Sequence, residues 1–203
     1  MIGVVDYRAG NAPSVGYALT RLGLEHRLVT TPGELDGVDR IILPGVGAAR
    51  ATLDSLRESD LVEPLERRVR DDGVPFLGIC IGLQVLFEHS EEGDTTGLSW
   101  VPGRVQRFDD TQRVPQIGWN SVRVLRDHPV TRGFPDGGHC YFVNSYYAAP
   151  ADPAHVLGET SYGVEFCSIV AHDNIVATQF HAEKSGELGL GILSGFAEWD
   201  RAA

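Results

Sequence analysis

The sequence predicts an α/β fold: a mainly parallel open sheet flanked by helices, with additional antiparallel strands. Three observations lead there. Residues 2–87 alternate short apolar runs with segments of helical spacing, the pattern of parallel strands joined by crossover helices. After about residue 104 the chain changes to strand-like runs separated by turn signals. No repeat, low-complexity stretch or linker interrupts the 203 residues, a length that suits one domain over 1–203 with its own core.

Taken in order, Ile2 to Asp6 reads as a buried strand. Val15, Ala18, Leu19 and Leu22 follow helical spacing, and Gly23 suits the helix end. His26 to Thr30 and Arg40 to Leu43 are the next strands, the second running into Pro44-Gly45-Val46-Gly47. Residues from about Ala49 to Asp72 read as helical with a break near Ser59, since Leu61, Leu65 and Val69 recur every four. Val74 to Ile79 is a further strand, and Leu83, Leu86 and Phe87 mark a helix after Cys80. Strand-like runs then follow at Arg104 to Phe108, Val122 to Leu125, Cys140 to Tyr147, Phe166 to Ala171 and Ile175 to Phe180. Asp136-Gly137-Gly138 and Asp173-Asn174 supply turns. A last helix runs from about Gly186 to Trp199, with Leu188, Ile192, Leu193 and Phe196 as its apolar face.

Charge and composition exclude several function classes. With 28 acidic and 17 basic side chains the net charge is −11, which repels phosphate backbones and argues against nucleic acid as partner. No apolar run is long enough to span a bilayer as a helix. The N-terminus lacks the layout of a signal peptide, so the expected location is cytoplasmic. Three cysteines (Cys80, Cys140, Cys167) cannot all pair within one chain, and their spacing matches no zinc pattern. Free thiols are expected, with no metal. The only lysine among the 17 basic residues is Lys184. A compact ammonium at one place points to a specific contact there, though drift in composition would leave the same trace.

Three segments carry chemistry. Gly78-Ile79-Cys80-Ile81-Gly82 has the shape Gly-x-Cys-x-Gly between a buried strand and a helix. This is the cysteine counterpart of the sharp strand-to-helix turn that exposes a nucleophilic serine in many hydrolases. Side chains two positions either side of the nucleophile would collide, so glycine belongs there. A helix start behind the sulfur favours thiolate over thiol, and the Ile81 amide is placed to bind an oxyanion. The alternative is a small buried apolar residue, the usual fate of a free cysteine and the reading adopted for Cys140 and Cys167.

The second segment is Gln179-Phe180-His181-Ala182-Glu183-Lys184-Ser185. A thiol nucleophile needs a base, and the base needs an orienter. His181 and Glu183, two apart at a strand end, project from the same face, so the carboxylate can fix the imidazole tautomer. Alone, His-x-Glu is equally a surface pattern. The third segment is Leu43-Pro44-Gly45-Val46-Gly47, which can bring backbone N–H groups to a ligand but lacks the Gly-Lys-Ser/Thr of a phosphate loop; a plain turn is its alternative. Following strands of one sheet, it and the Cys80 turn can share a cleft.

Together these segments resemble the class I (triad) glutamine amidotransferases. More narrowly, they resemble the glutaminase subunits of histidine biosynthesis, which feed a cyclase that forms imidazole glycerol phosphate. The resemblance covers essentially the whole chain. It includes Asp6-Tyr7 with Gly10-Asn11, residues 44–47 and 78–84, Val114-Pro115-Gln116-Ile117-Gly118-Trp119-Asn120, residues 141–147 and residues 179–185. It implies a flavodoxin-like class I amidotransferase architecture, glutamine as substrate, no cofactor and a Cys80–His181–Glu183 triad. It further implies oxyanion binding by the Ile81 amide and a peptide near Val46. Glutamine would be held by Gly47 and Gln84 with groups around Asn144, Ser145 and Tyr146. Lys184, Asn11 and Trp119 match positions facing a cyclase subunit, the partner in a heterodimer. Since the motifs run from residue 6 to residue 185, the ammonia acceptor is expected on that second chain. Other readings are the glutaminase subunit of another class I enzyme, such as pyridoxal phosphate synthase, and a non-catalytic module on the same fold. Arg8, Ala12-Pro13, Ala182 and Asn144 depart from the usual pattern: glycine, Leu-Arg, proline and histidine are more frequent there.

Overall fold

The computed structural model describes residues 1–8 and 11–200. Strand β1 (Ile2–Val5) leads to helix α1 (Ala12–Arg21), then β2 (His26–Val29) and β3 (Arg40–Gly45). Helices α2 (Ala49–Glu58) and α3 (Val62–Glu66) follow, the latter continuing into a π turn at Arg67–Asp71. Next come β4 (Phe76–Cys80), the one-turn helix α4 (Ile81–Gln84), and the short strands β5 (His89–Ser90) and β6 (Thr95–Thr96). The remaining strands are β7 (Gly103–Arg107), β8 (Gln116–Val124), β9 (Gly138–Asn144), β10 (Tyr146–Pro150), β11 (Val156–Tyr162), β12 (Val164–His172) and β13 (Ile175–Thr178). Helix α5 (Gly186–Glu198) closes the described chain.

The sheet runs β2-β1-β3-β4-β13 with every pairing parallel, then continues antiparallel through β12, β10 and β7. A branch of antiparallel strands, β11-β8-β9, leaves from β12. The parallel part is buried on both faces, as continuous apolar runs require: β1, β4 and β13 contain only buried residues. One apolar cluster joins these strands to α1, α2 and α5, with Phe76, Phe142, Phe180 and Phe196 among its largest side chains.

The expected helix over Ala49–Asp72 breaks where its sequence allows. Asp60 takes φ 54°, and the Leu61 amide reaches back to the Leu56 carbonyl while the Asp60 amide reaches that of Arg57. That is a Schellman ending, with aspartate tolerating the left-handed position. The helix after Cys80 is shorter than the Leu83, Leu86, Phe87 spacing predicts. Residues 97–101 take its carbonyls instead: Leu98, Ser99 and Trp100 amides donate to Val85, Phe87 and Leu86. The run Cys140 to Tyr147 is two strands, parted at Ser145. Strand β11 has no counterpart in the sequence reading, because Gly158 and an irregular register against β12 blur its alternation.

Candidate active site

Strands β3, β4 and β13 are parallel neighbours in register, Gly45 beside Cys80 and Thr178 beside Ile79. The three sequence segments therefore open at one edge of the sheet, beyond the carboxyl ends of its strands, where open α/β sheets bind ligands.

Cys80 sits at φ 57° and ψ −106°, a strained conformation for a residue with a side chain. The flanking glycines make it possible. A β-carbon on Gly82 would lie 1.9 Å from the Leu43 carbonyl oxygen, and one on Gly78 would lie 2.5 Å from the Gly82 carbonyl oxygen. The turn thus packs its backbone directly against β3. Because α4 is a single turn, its dipole is smaller than that of the longer helix expected from the sequence.

His181 faces Cys80, and its Nδ1 donates to Oε1 of Glu183 at 2.9 Å. Both side chains are buried, at 3% and 0% exposure. The strand-end geometry expected for this pair is not what joins them. Strand β13 ends at Thr178, and a 3-10 turn at Ala182–Lys184 folds Glu183 back onto the imidazole. Ser185 locks that turn: its Oγ donates to the His181 carbonyl at 2.7 Å and accepts from the Tyr141 amide at 3.0 Å. Burial alone would lower the basicity of His181. Hydrogen bonds to Cys80 and Glu183, together with their charges, overcome this and hold the imidazole up at about 9. Burial has the opposite consequence for the other thiols, pushing Cys140 up to about 12 and Cys167 higher still.

A cleft of about 270 Å³ opens beside the sulfur, of a size for a small metabolite. Cys80 and His181 line it together with Val46, Gly47, Ile81, Gln84, Asn144, Ser145 and Tyr146. Every residue expected at the oxyanion or substrate positions therefore meets in one place. Glu183 lies behind His181. A larger groove of about 780 Å³ along residues 124–136 shares no residue with this cleft and contains no cysteine. Among the described residues, no group of three or more His, Cys, Asp or Glu is arranged to hold a metal ion.

A family profile described as Glutamine amidotransferase class-I matches residues 4–196. The chain belongs to the class I glutamine amidotransferases. It is 45% identical over 197 residues to imidazole glycerol phosphate synthase subunit HisH of Dehalococcoides mccartyi, covering 97% of this chain and 96% of that relative. The corresponding subunit of Halobacterium salinarum is 46% identical, covering 97% and 92%. That of Chloroflexus aurantiacus is 42% identical, covering 100% and 97%. The fold agrees with solved structures: a crystal structure of a glutamine amidotransferase superposes with TM-score 0.77 at 21% identity, covering 97% of both chains. PurLQS from Thermotoga maritima gives TM-score 0.75 at 19% identity, again covering 97% of both.

This amidotransferase carries two further features around the Cys80 turn. Glu92, in the turn between β5 and β6, lines the cleft, and its Oε2 accepts from the Ala49 amide at 2.8 Å, capping α2 from across the fold. No local sequence signal marks it, since its position depends on that distant cap. Tyr7 of the Asp6-Tyr7 motif is buried below the turn, with its hydroxyl 3.4 Å from Oγ1 of Thr52. Gly10 lies outside the described residues.

The three residues expected to face a partner have different settings. Lys184 is exposed, and its amide donates to the His181 carbonyl. Trp119 is 57% exposed and packs edge-on against Tyr141. Opposite one another on β8 and β9, Trp119 with Tyr141 and Ile117 with Val143 form one outward strip beside the cleft. Asn11 is half-buried instead, and its Nδ2 donates to Oε1 of Glu183.

Proposed function

We propose that this chain is the glutaminase subunit of an imidazole glycerol phosphate synthase of histidine biosynthesis. It hydrolyses glutamine to glutamate and ammonia in the cytoplasm. The ammonia passes to a cyclase subunit, in a heterodimer, for formation of imidazole glycerol phosphate and aminoimidazole carboxamide ribonucleotide. The observation that carries the chemistry is the Cys80–His181–Glu183 arrangement at the mouth of a small cleft. The near full-length similarity to subunits of that enzyme supports the choice of pathway, and three free cysteines accord with a reducing compartment.

In this reading His181 has taken the Cys80 proton, in keeping with its raised basicity, before Sγ attacks the carboxamide carbon. Glu183 holds the imidazole tautomer and supports its positive charge. The Ile81 amide and a peptide near Val46 stabilise the oxyanion, each donor worth on the order of 3 kcal/mol. His181 returns the proton to nitrogen, the C–N bond breaks, and ammonia leaves a γ-glutamyl thioester. Water, deprotonated by His181, attacks the thioester; the C–S bond breaks, glutamate forms and the thiol is restored. Gly47, Ser145, Tyr146, Asn144 and Gln84 hold the substrate, and the Glu92 carboxylate suits its ammonium group. Every step runs on the chain's own side chains and backbone amides, with no metal or organic cofactor.

The exposed strip of Trp119, Ile117 and Val143 beside the cleft supports a protein partner on that face, and we assign Lys184 and Asn11 to the same contact. Cys80→Ser in the assembled complex tests the assignment: glutamine-dependent synthesis is expected to disappear while synthesis from added ammonium salts persists. Retention of the glutamine-dependent reaction would remove Cys80 from the chemistry.

A further inference from the structure

Gln179 lies between the sulfur and the substrate-facing amides, fully buried at 0% exposure. Its Nε2 points at Sγ of Cys80 from 3.8 Å. Its Oε1 accepts from Nε2 of Gln84 at 3.0 Å. The same Gln84 nitrogen also donates to the Tyr146 carbonyl at 3.1 Å, an oxygen shared with Nδ2 of Asn144 at 3.0 Å. Both hydrogens of the Gln84 nitrogen are thus committed, and only its oxygen is left to offer. That Oε1 is buried without a hydrogen-bond partner among the described residues. A buried carbonyl in that state favours a ligand that brings an N–H and disfavours one that brings a carboxylate oxygen.

The order of the network fixes every amide in it. Turning Gln179 over would set N–H against the N–H of Gln84 and an oxygen lone pair against the sulfur. We infer that Gln179 is a positioning residue, a single amide that aims the Gln84 oxygen at the substrate and holds a hydrogen-bond donor on the Cys80 sulfur. This rests on the reading of Cys80 as the nucleophile. A donor on the sulfur favours the thiolate, as any hydrogen bond to the charged form does. The two halves of the role are separable, because Nε2 serves the sulfur and Oε1 serves Gln84.

The test uses the full-length chain with iodoacetamide, a small electrophile, and reads Cys80 modification by peptide mass across pH, with and without glutamine. Gln179→Met keeps the length and removes both contacts. Alkylation at neutral pH is expected to slow roughly tenfold, its pH midpoint to rise, and half-protection to need roughly tenfold more glutamine. Gln179→Glu keeps an acceptor for Gln84 but loses the donor to sulfur. Its pH midpoint is expected to rise while glutamine protection stays within about twofold of the parent. Parent-like profiles in both folded variants would overturn the role, as would equal loss of protection in the Glu and Met variants. Should Gln179→Met not fold, the split within Gln179→Glu decides alone. If glutamine does not protect Cys80 even in the parent chain, the reading of the site fails and this inference with it. Protection in the parent with unchanged variants sinks the inference alone.

Discussion

Nδ2 of Asn11 and Nδ1 of His181 donate to the same oxygen of Glu183. Asn11 also caps α1, its carbonyl accepting from the Ser14 and Val15 amides, so the start of that helix and the Glu183 carboxylate are held by one residue. Asn11→Ala is expected to lower kcat of the glutaminase roughly tenfold at saturating partner, the size of a lost hydrogen bond to a charged group. Steady-state kinetics of the complex check this. A residue that only docked the partner would raise the partner concentration required and leave the saturated kcat at the parent value.

The basicity of His181 follows from its neighbours, and removing either should reveal it. Its imidazole stands at about 9 against an ordinary 6.5. The stability this contributes is present in full below about 6.5 and is lost as pH rises through about 9. In an NMR titration, Glu183→Gln and Cys80→Ala are each expected to bring the His181 midpoint down. Denaturant melts of the parent chain should show stability falling between pH 7 and 10, with a smaller fall in either variant. Midpoints unchanged in both variants would mean that neither neighbour sets the charge.

Lys184 is next in sequence to Glu183, and its amide anchors the turn on the His181 carbonyl. Docked on a partner's acidic group, the ammonium would steady that turn. Lys184→Ala is then expected to weaken partner affinity and partner-stimulated glutaminase severalfold, more at low salt than at moderate salt. Binding and rate measurements at two ionic strengths decide it. Identical affinity, stimulation and salt response would make Lys184 an ordinary exposed charge, worth little.

The contact between the Cys80 turn and β3 has no slack. Gly82→Ala would set its β-carbon 1.9 Å from the Leu43 carbonyl oxygen, a backbone atom that cannot swing aside as a side chain could. A loss of about 3 kcal/mol or more is expected, seen as a lower denaturation midpoint, with glutaminase activity abolished. Parent-like stability would show that β3 and the turn move apart easily.

Much of this site was legible because its local requirements are severe. Gly-x-Cys-x-Gly announces the turn at Cys80, and the collisions at Gly78 and Gly82 supply the reason. His181 and Glu183 were legible as a pair, but not the way they meet. An apolar strand followed by His-x-Glu reads as extended, whereas the bond of Ser185 to Tyr141 of β9 folds the segment into a 3-10 turn. Glu92 and the role of Gln179 escaped for a related cause. Each is placed by contacts with residues more than 40 positions away, the Ala49 amide and the Cys80 sulfur, and neither leaves a periodic trace. In the fold, the parallel strands were visible as unbroken apolar runs. Strand β11 was not, since its burial alternates irregularly and its register shifts near Gly158.

The close contact of β3 with the Cys80 turn also bears on the neighbouring loop. Gly45 is pinned, since a β-carbon there would touch Tyr7 and Ile81 within 2.9 Å. Two residues later Gly47 stands at φ 93° with nothing within 4 Å of where its β-carbon would be, and Val46 between them is 37% exposed. Open space for a change of backbone conformation in this stretch therefore lies around Val46 and Gly47, and a peptide there is the second oxyanion donor of the proposed mechanism. An engineer wishing to make the glutaminase constitutively active, or permanently silent, has a two-residue handle that leaves the packed core untouched.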